Sequence, residues 1–239
     1  MSGQAVCYGM TAVEQQGNTP GIRMKLGIFG GTFNPIHTGH LRVAEEVRYG
    51  CGLDRIIFVP SGSPPLKTSE LADAVHRVAM TRLATETNIN FAVSDIETQD
   101  SDKSYTINTV QKLGEIYPGD KLYFIMGLDV FLDLPNWRAP EKLISSIDFI
   151  IMTRPGFRLE ELQSSPFIGD PGCVNDSGRI TCSMKGGRTA LVAQVTACDF
   201  SSTAIRQLLK EGKSVKYLMP DAVEQYIASN RLYKTYVVS

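Results

Sequence analysis

No CxxC pair occurs in this chain, no apolar run approaches the length needed to span a bilayer, and neither sign of charge dominates. Each absence removes a class of function. Without CxxC, neither a zinc knuckle nor a thioredoxin-like redox motif is supported. The five cysteines, Cys7, Cys51, Cys173, Cys182 and Cys198, are scattered. An odd count with no secretory signal fits a reducing compartment, so the expected location is cytoplasmic. A formal net charge of -1 gives no global field toward nucleic acid or an acidic membrane, and neither is an expected partner. Histidine is scarce, three in 239 residues, and there is a single tryptophan. Where those few residues fall therefore carries information.

What is present is an ordinary globular balance, 43% hydrophobic and 21% charged, which argues against wholesale disorder. The length suits one domain with a substantial core. Met1–Arg23 is rich in Gly, Gln, Thr and Ser, lacks periodicity, and reads as an extension, tag or misplaced start that is poorly ordered. Residues 24–239 read as a single domain.

From Met24 the pattern alternates. Lys25–Gly30 is a short apolar strand, and Gly39–Tyr49 a helix with Leu41, Val43, Ala44 and Val47 on one stripe. Asp54–Pro60 is a continuous apolar run, as expected of a strand buried on both faces. Helix Leu71–Thr85, strand Ile89–Ile96, helix Tyr105–Ile116 and strands Lys121–Met126 and Phe149–Met152 follow. Phe157–Gly187 is an irregular, Gly/Pro-rich excursion with room for a small hairpin. A sixth strand at Ala190–Val195 and two helices, Ser202–Glu211 and Asp221–Arg231, close the chain. This predicts an α/β fold: a Rossmann-like, doubly wound parallel sheet with helices on both faces and helices at the C-terminus. Such a fold binds ligands beyond the carboxyl ends of its strands.

The densest cluster lies there. Gly30-Gly31-Thr32-Phe33-Asn34-Pro35-Ile36-His37-Thr38-Gly39-His40 follows a strand, opens a helix and holds two of the three histidines. Glycines let a backbone approach phosphate, and a helix start offers N–H groups and partial positive charge to an anion. A plain turn fits Gly-Gly as well, and histidines three apart can hold zinc. No third ligand lies near except Glu45 or Glu46, and the spacing matches neither a P-loop nor GxGxxG. Near the C-terminus, Phe200-Ser201-Ser202-Thr203-Ala204-Ile205-Arg206 reads either as a helix cap or as a second phosphate cradle.

Together these segments resemble the GGTFxPxHxGH and ISSTxIR signatures of the HxGH nucleotidyltransferase superfamily, most closely its bacterial nicotinate-nucleotide adenylyltransferases. Further segments extend the likeness: Val59–Lys67 to VPxxxPPHK, with Leu66 in place of His; His76-Arg77 to an HR pair, which alone reads as a helix-surface pair; Ser104-Tyr105-Thr106 to SYT; and Gly127-Leu128-Asp129 to GxD. The likeness runs from about Met24 to Tyr233 and is weakest at Phe157–Gly187. The family often has Asp where this chain has Asn34, a position expected mainly to shape the loop. Phe200 in place of Ile is expected to matter little.

The resemblance implies adenylyl transfer from ATP, with Mg²⁺ on the triphosphate, to nicotinate mononucleotide in NAD biosynthesis. It gives catalytic roles to His37, His40 and Arg206. It gives ATP contacts to Gly30, Gly31, Thr32, Phe33, Gly127, Asp129, Ser201, Ser202 and Thr203. Acceptor contacts fall to Lys67, Ser104, Thr106, Trp137, Arg138 and Arg154, with Trp137 stacking on the pyridine ring. No residue is assigned as a direct metal ligand, and self-association stays open. The rivals are another acceptor, nicotinamide mononucleotide or phosphopantetheine, and a non-catalytic nucleotide-binding protein on the same fold.

Overall fold

The computed structural model describes residues 23–62, 70–99 and 105–233. Expectations for 1–22, for Lys67 and for Ser104 lie outside them.

The order is β1 (Lys25–Gly31), α1 (Thr38–Cys51), β2 (Arg55–Pro60), α2 (Ala74–Thr85), β3 (Phe91–Val93), α3 (Thr106–Ile116), β4 (Lys121–Gly127) and α4 (Leu128–Leu132). Then come α5 (Pro140–Ser146), β5 (Asp148–Thr153), α6 (Leu159–Gln163), β6 (Ile168–Asp176), β7 (Arg179–Met184), β8 (Thr189–Gln194), α7 (Ser202–Lys210) and α8 (Asp221–Ser229). One sheet runs β3-β2-β1-β4-β5-β8-β7-β6. The six strands from β3 to β8 pair in parallel.

Side-chain alternation explains the two cores. Residues two apart on a strand share a face. Ile28, Ile57, Phe124 and Phe149 pack with α3 and α5 on one side. Phe29, Phe58, Ile125 and Ile150 pack with α1, α2, α7 and α8 on the other. A strand sandwiched this way has no polar face, which is why β1, β2 and β5 read as unbroken apolar runs. The chain winds one way from β1 to β3 and the other way from β4, so the loops after β1 and β4 meet at the topological switch.

Four differences from the sequence expectation stand out. The excursion at 157–187 is part of the sheet: β6 and β7 pair antiparallel with each other, and β7 pairs antiparallel with β8, making the sheet mixed. Cys173 and Cys182 face each other across that hairpin in a disulfide, so two cysteines read as scattered are partners and do not fit the reduced state expected of all five. Helix α2 begins at Ala74 rather than Leu71, because Ala72 is used elsewhere: its N–H donates to Asn34 Oδ1 and its carbonyl accepts from Arg77. Strand β3 is three residues long: the Ser94 N–H still donates to the Phe58 carbonyl of β2, and the chain then turns at Asp95–Thr98. Among the described residues no helix is long and apolar enough to cross a membrane.

Candidate active site

The loop after β1 is shaped by close approaches. Gly31 lies under the Phe33 ring, where a Cβ would come within 2.8 Å of ring carbons. Phe33 takes a φ of 47° and sends its side chain into the core against Phe29 and Phe58, so only its backbone is available to a nucleotide. His37 caps α1 with extended backbone, and its ring stacks on that of His40 at 3.7 Å. The His37 N–H donates to His40 Nδ1, which assigns the proton of a neutral His40 to Nε2 and leaves that atom as a donor. His37 Nδ1 is buried against the first turn of α1.

Both rings are held neutral at pH 7. Burial lowers the His37 pKa to about 4. Burial first, then the charge of His37, lowers that of His40 to about 3. His37 is more enclosed than a side chain simply facing a cleft, at 7% exposure. Its ring is walled edge-on by Phe200 at 5.3 Å. The amides of Thr38 and His40 are already used, donating to the Leu218 and His37 carbonyls, so α1 offers an anion less than a bare helix start would.

Gly39 tests this packing. A Cβ there would sit 3.0 Å from His37 Nδ1 and 3.4 Å from Cys198 Cβ. Gly39→Ala should gain up to ~1 kcal/mol of helix propensity, which offsets the crowding in stability. Yet it should displace His37 and lower kcat by roughly tenfold or more, because small misplacements near reacting atoms are costly. Unchanged turnover, with Tm also unchanged, would show that this contact does not set the position of His37.

The second motif meets the first. Ser201 caps α7, its Oγ accepting from the Ala204 N–H, and Ser202 Oγ donates to the Pro35 carbonyl. Arg206 donates from Nη1 to the Asn34 carbonyl (2.9 Å), from Nε to Glu70 (3.4 Å) and from Nη2 to Thr203 Oγ1. These contacts turn Arg206 inward as a clamp on the loop. Lys210 also pairs with Glu70, and with Arg206 it holds that carboxyl below the ordinary range. Asn34 is a hub: Nδ2 donates to the Glu70 carbonyl, while Oδ1 accepts from the Ala72 N–H and the Tyr233 hydroxyl. An aspartate there would lose the first of these bonds. Tyr233, 199 positions away, was not singled out by the sequence, and no local pattern marks it.

Arg77 was read as a surface residue and is 1% exposed. Its guanidinium reaches the Ala72, Thr32 and Gly62 carbonyls, and burial draws its pKa below the usual value. Its helix neighbour His76 is half-buried, with Nδ1 at 3.0 Å from the Tyr226 hydroxyl.

On the acceptor side, Thr106 opens α3, and the Arg138 guanidinium lies over the Tyr105 ring at 4.4 Å, which brings the SYT segment to the Trp137–Arg138 turn. Trp137 is half-buried against the core. Its backbone N–H is committed to the Leu134 carbonyl, and in the first turn of α3 the Asn108 N–H donates to the Tyr105 carbonyl. Gly127 ends β4, and the Asp129 carboxylate folds over it. Arg154 is exposed beyond β5. A cavity of about 570 Å³ lies at the opposite edge, lined by Arg23, Lys25, Lys121, Asp148 and Arg188 among others, and no motif residue borders it. Among the described residues no three His, Cys, Asp or Glu side chains gather as a metal site.

Residues 28–208 match the model of the cytidylyltransferase-like family, which places the chain among α/β nucleotidyltransferases. The chain is 40% identical over 216 residues to a protein of Syntrophotalea carbinolica named "Probable nicotinate-nucleotide adenylyltransferase", spanning 89% of this chain and 98% of that one. It is 42% identical over 213 residues to the Geobacter sulfurreducens protein of the same name, with 88% and 98% covered. The chain therefore belongs to the nicotinate-nucleotide adenylyltransferase family of cytidylyltransferase-like proteins. Its fold is shared with Plasmodium falciparum nicotinic acid mononucleotide adenylyltransferase complexed with NaAD, at a TM-score of 0.66 and 20% identity over 88% of this chain and 98% of that one.

Proposed function

We propose that this chain transfers the adenylyl group of ATP to nicotinate mononucleotide, releasing pyrophosphate and nicotinate adenine dinucleotide. The observation that carries the reading is the stacked His37–His40 pair at the head of α1, walled by the segment that leads into α7, in a chain 40% identical to its curated relatives.

An oxygen of the mononucleotide's phosphate attacks the α-phosphorus. The bond from that phosphorus to the bridging oxygen breaks, and pyrophosphate leaves with the electron pair. The attacking phosphate has a second pKa near ~6 and is mostly dianionic at pH 7, so no protein base is needed. Positioning and charge stabilisation are what the protein supplies. His40 Nε2 and the His37 ring donate to phosphate oxygens, and a bound anion pulls their pKa values back up. The GGTF backbone, Gly127 and Asp129 flank the nucleotide, with Ser201, Ser202 and Thr203 at its phosphates. Arg206 holds the loop on which the histidines stand. Mg²⁺ would ride on the triphosphate and neutralise charge there. The reaction is cytoplasmic in this reading, carried out by residues 24–239 as one domain. Pyrophosphate release with ATP and a panel of nicotinate mononucleotide, nicotinamide mononucleotide and phosphopantetheine tests it. Release with none favours a binding protein, and release with phosphopantetheine alone overturns the acceptor.

The acid should be preferred over the amide. A carboxylate only accepts hydrogen bonds, and the first-turn amides of α3 at Thr106, with Arg138 beside them, only donate. An amide would turn an N–H₂ toward those donors. Trp137 should stack on either ring, so Trp137→Ala should weaken both substrates by roughly 1–3 kcal/mol, on the scale of base–aromatic stacking, without erasing the preference. Comparing kcat/KM for the two mononucleotides on wild type and Trp137→Ala checks this. Equal use by wild type would show that the pocket is misassigned.

A further inference from the structure

A fully buried arginine normally faces a carboxylate. Asp73 and Glu97 lie within electrostatic reach of Arg77, yet its hydrogen bonds run to three main-chain carbonyls: Nε to Ala72 at 3.0 Å, Nη1 to Thr32 at 2.9 Å and Nη2 to Gly62 at 3.1 Å. Those carbonyls belong to the loop after β1 and to the two ends of the connection between β2 and α2. One planar, rigid fork thus sets the relative position of all three.

The Thr32 contact has a directional consequence. The peptide joining Thr32 to Phe33 is trans, since Asn34–Pro35 is the cis bond of this loop. In a trans peptide the C=O and the following N–H point in opposite directions. Drawing the Thr32 carbonyl inward to Arg77 therefore turns the Phe33 N–H away from it, on the backbone that leads to His37. Phe33 can hold its φ of 47° because its ring is anchored in the core and the peptide before it is pinned.

We infer that Arg77 is a positioning residue for adenylyl transfer, holding the loop after β1 so that the Phe33 N–H is presented to the triphosphate. The inference rests on the proposed function. Lysine keeps the charge but lacks the planar fork and cannot reproduce three directed bonds. Arg77→Lys should lower kcat by roughly 10–10²-fold and raise KM for ATP, while KM for the mononucleotide stays within about twofold, the pattern of a misaligned phosphate loop. A purely structural arginine would lower Tm and leave turnover of the folded protein intact. Thr85→Val is the control: it removes a buried hydrogen bond at the far end of α2 and should lower Tm without changing kcat.

The measurement on wild type needs no variant. Backbone amide NMR of the ¹⁵N-labelled chain, titrated with a non-hydrolysable ATP analogue, should show the Phe33 amide among the most strongly shifted. A Phe33 amide indifferent to the analogue overturns the inference. So does an Arg77→Lys protein with wild-type kcat and KM for ATP. Wild type that releases no pyrophosphate with any acceptor sinks the functional reading instead, so the two failures are distinguishable.

Discussion

Alanine at His40 lowers kcat by roughly 10²–10³-fold, the scale for losing one preorganised donor to a developing anion. His37→Ala has an effect of the same size. Single-turnover pyrophosphate release measures both, and near-normal rates in both would remove the mechanism. The pH dependence of stability supplies a second readout. An unfolded imidazole takes up its proton near pH 6.5, whereas the folded His37 resists until about pH 4 and His40 until about pH 3. Between those limits the unfolded chain binds more protons, so stability falls as pH drops from 6.5 toward 3. Removing either ring should flatten the slope of Tm against pH in that window. A slope unchanged in both alanine variants would show that the rings are not held neutral by burial.

Arg206→Ala follows in size, with kcat/KM for ATP reduced by roughly 10²-fold. The estimate comes from a charged hydrogen bond worth about 1.5–3 kcal/mol, lost from the Asn34 carbonyl that the clamp secures. Binding of the mononucleotide should change much less. Arg206→Lys should restore only part of the loss, because an ammonium cannot bond the Asn34 carbonyl and Glu70 in the forked geometry of Nη1 and Nε. A lysine form equal to wild type would reduce Arg206 to a generic charge. Since Glu70 also pairs with Lys210, Lys210→Ala is a useful comparison: it removes a cation from the same carboxylate without releasing the loop.

The parts of the molecule written in short-range pattern were legible. Unbroken apolar runs gave β1, β2, β4 and β5, and the HTGH cluster marked the site, because a strand, a glycine turn and a helix start are adjacent in sequence. The supporting shell was not. Arg77 looks like any helical arginine until three carbonyls from other segments close on it. Tyr233 reaches Asn34 across almost the whole chain, and no window sees that bond. The short helices α4 and α5 lack the length for a periodic signal. Room for a small hairpin at 157–187 could be read, but not its place in the main sheet, since Pro171, Gly172 and Gly178 read as loop although the backbone around them pairs.

That hairpin leaves β6 as the outer strand on one side of the sheet. Within it Pro171 has no N–H to give, the pairing with β7 slips between Ile168 and Cys173, and Asp170 and Asp176 are exposed carboxylates. A strand from a second chain laid alongside would meet a missing donor, a broken ladder and two negative charges. The other margin, β3, has three residues and gives too short a template. Both rims thus resist strand addition and the runaway aggregation it would seed. Among the described residues the sheet is finished at both margins, and neither margin offers a ladder that could be continued from copy to copy.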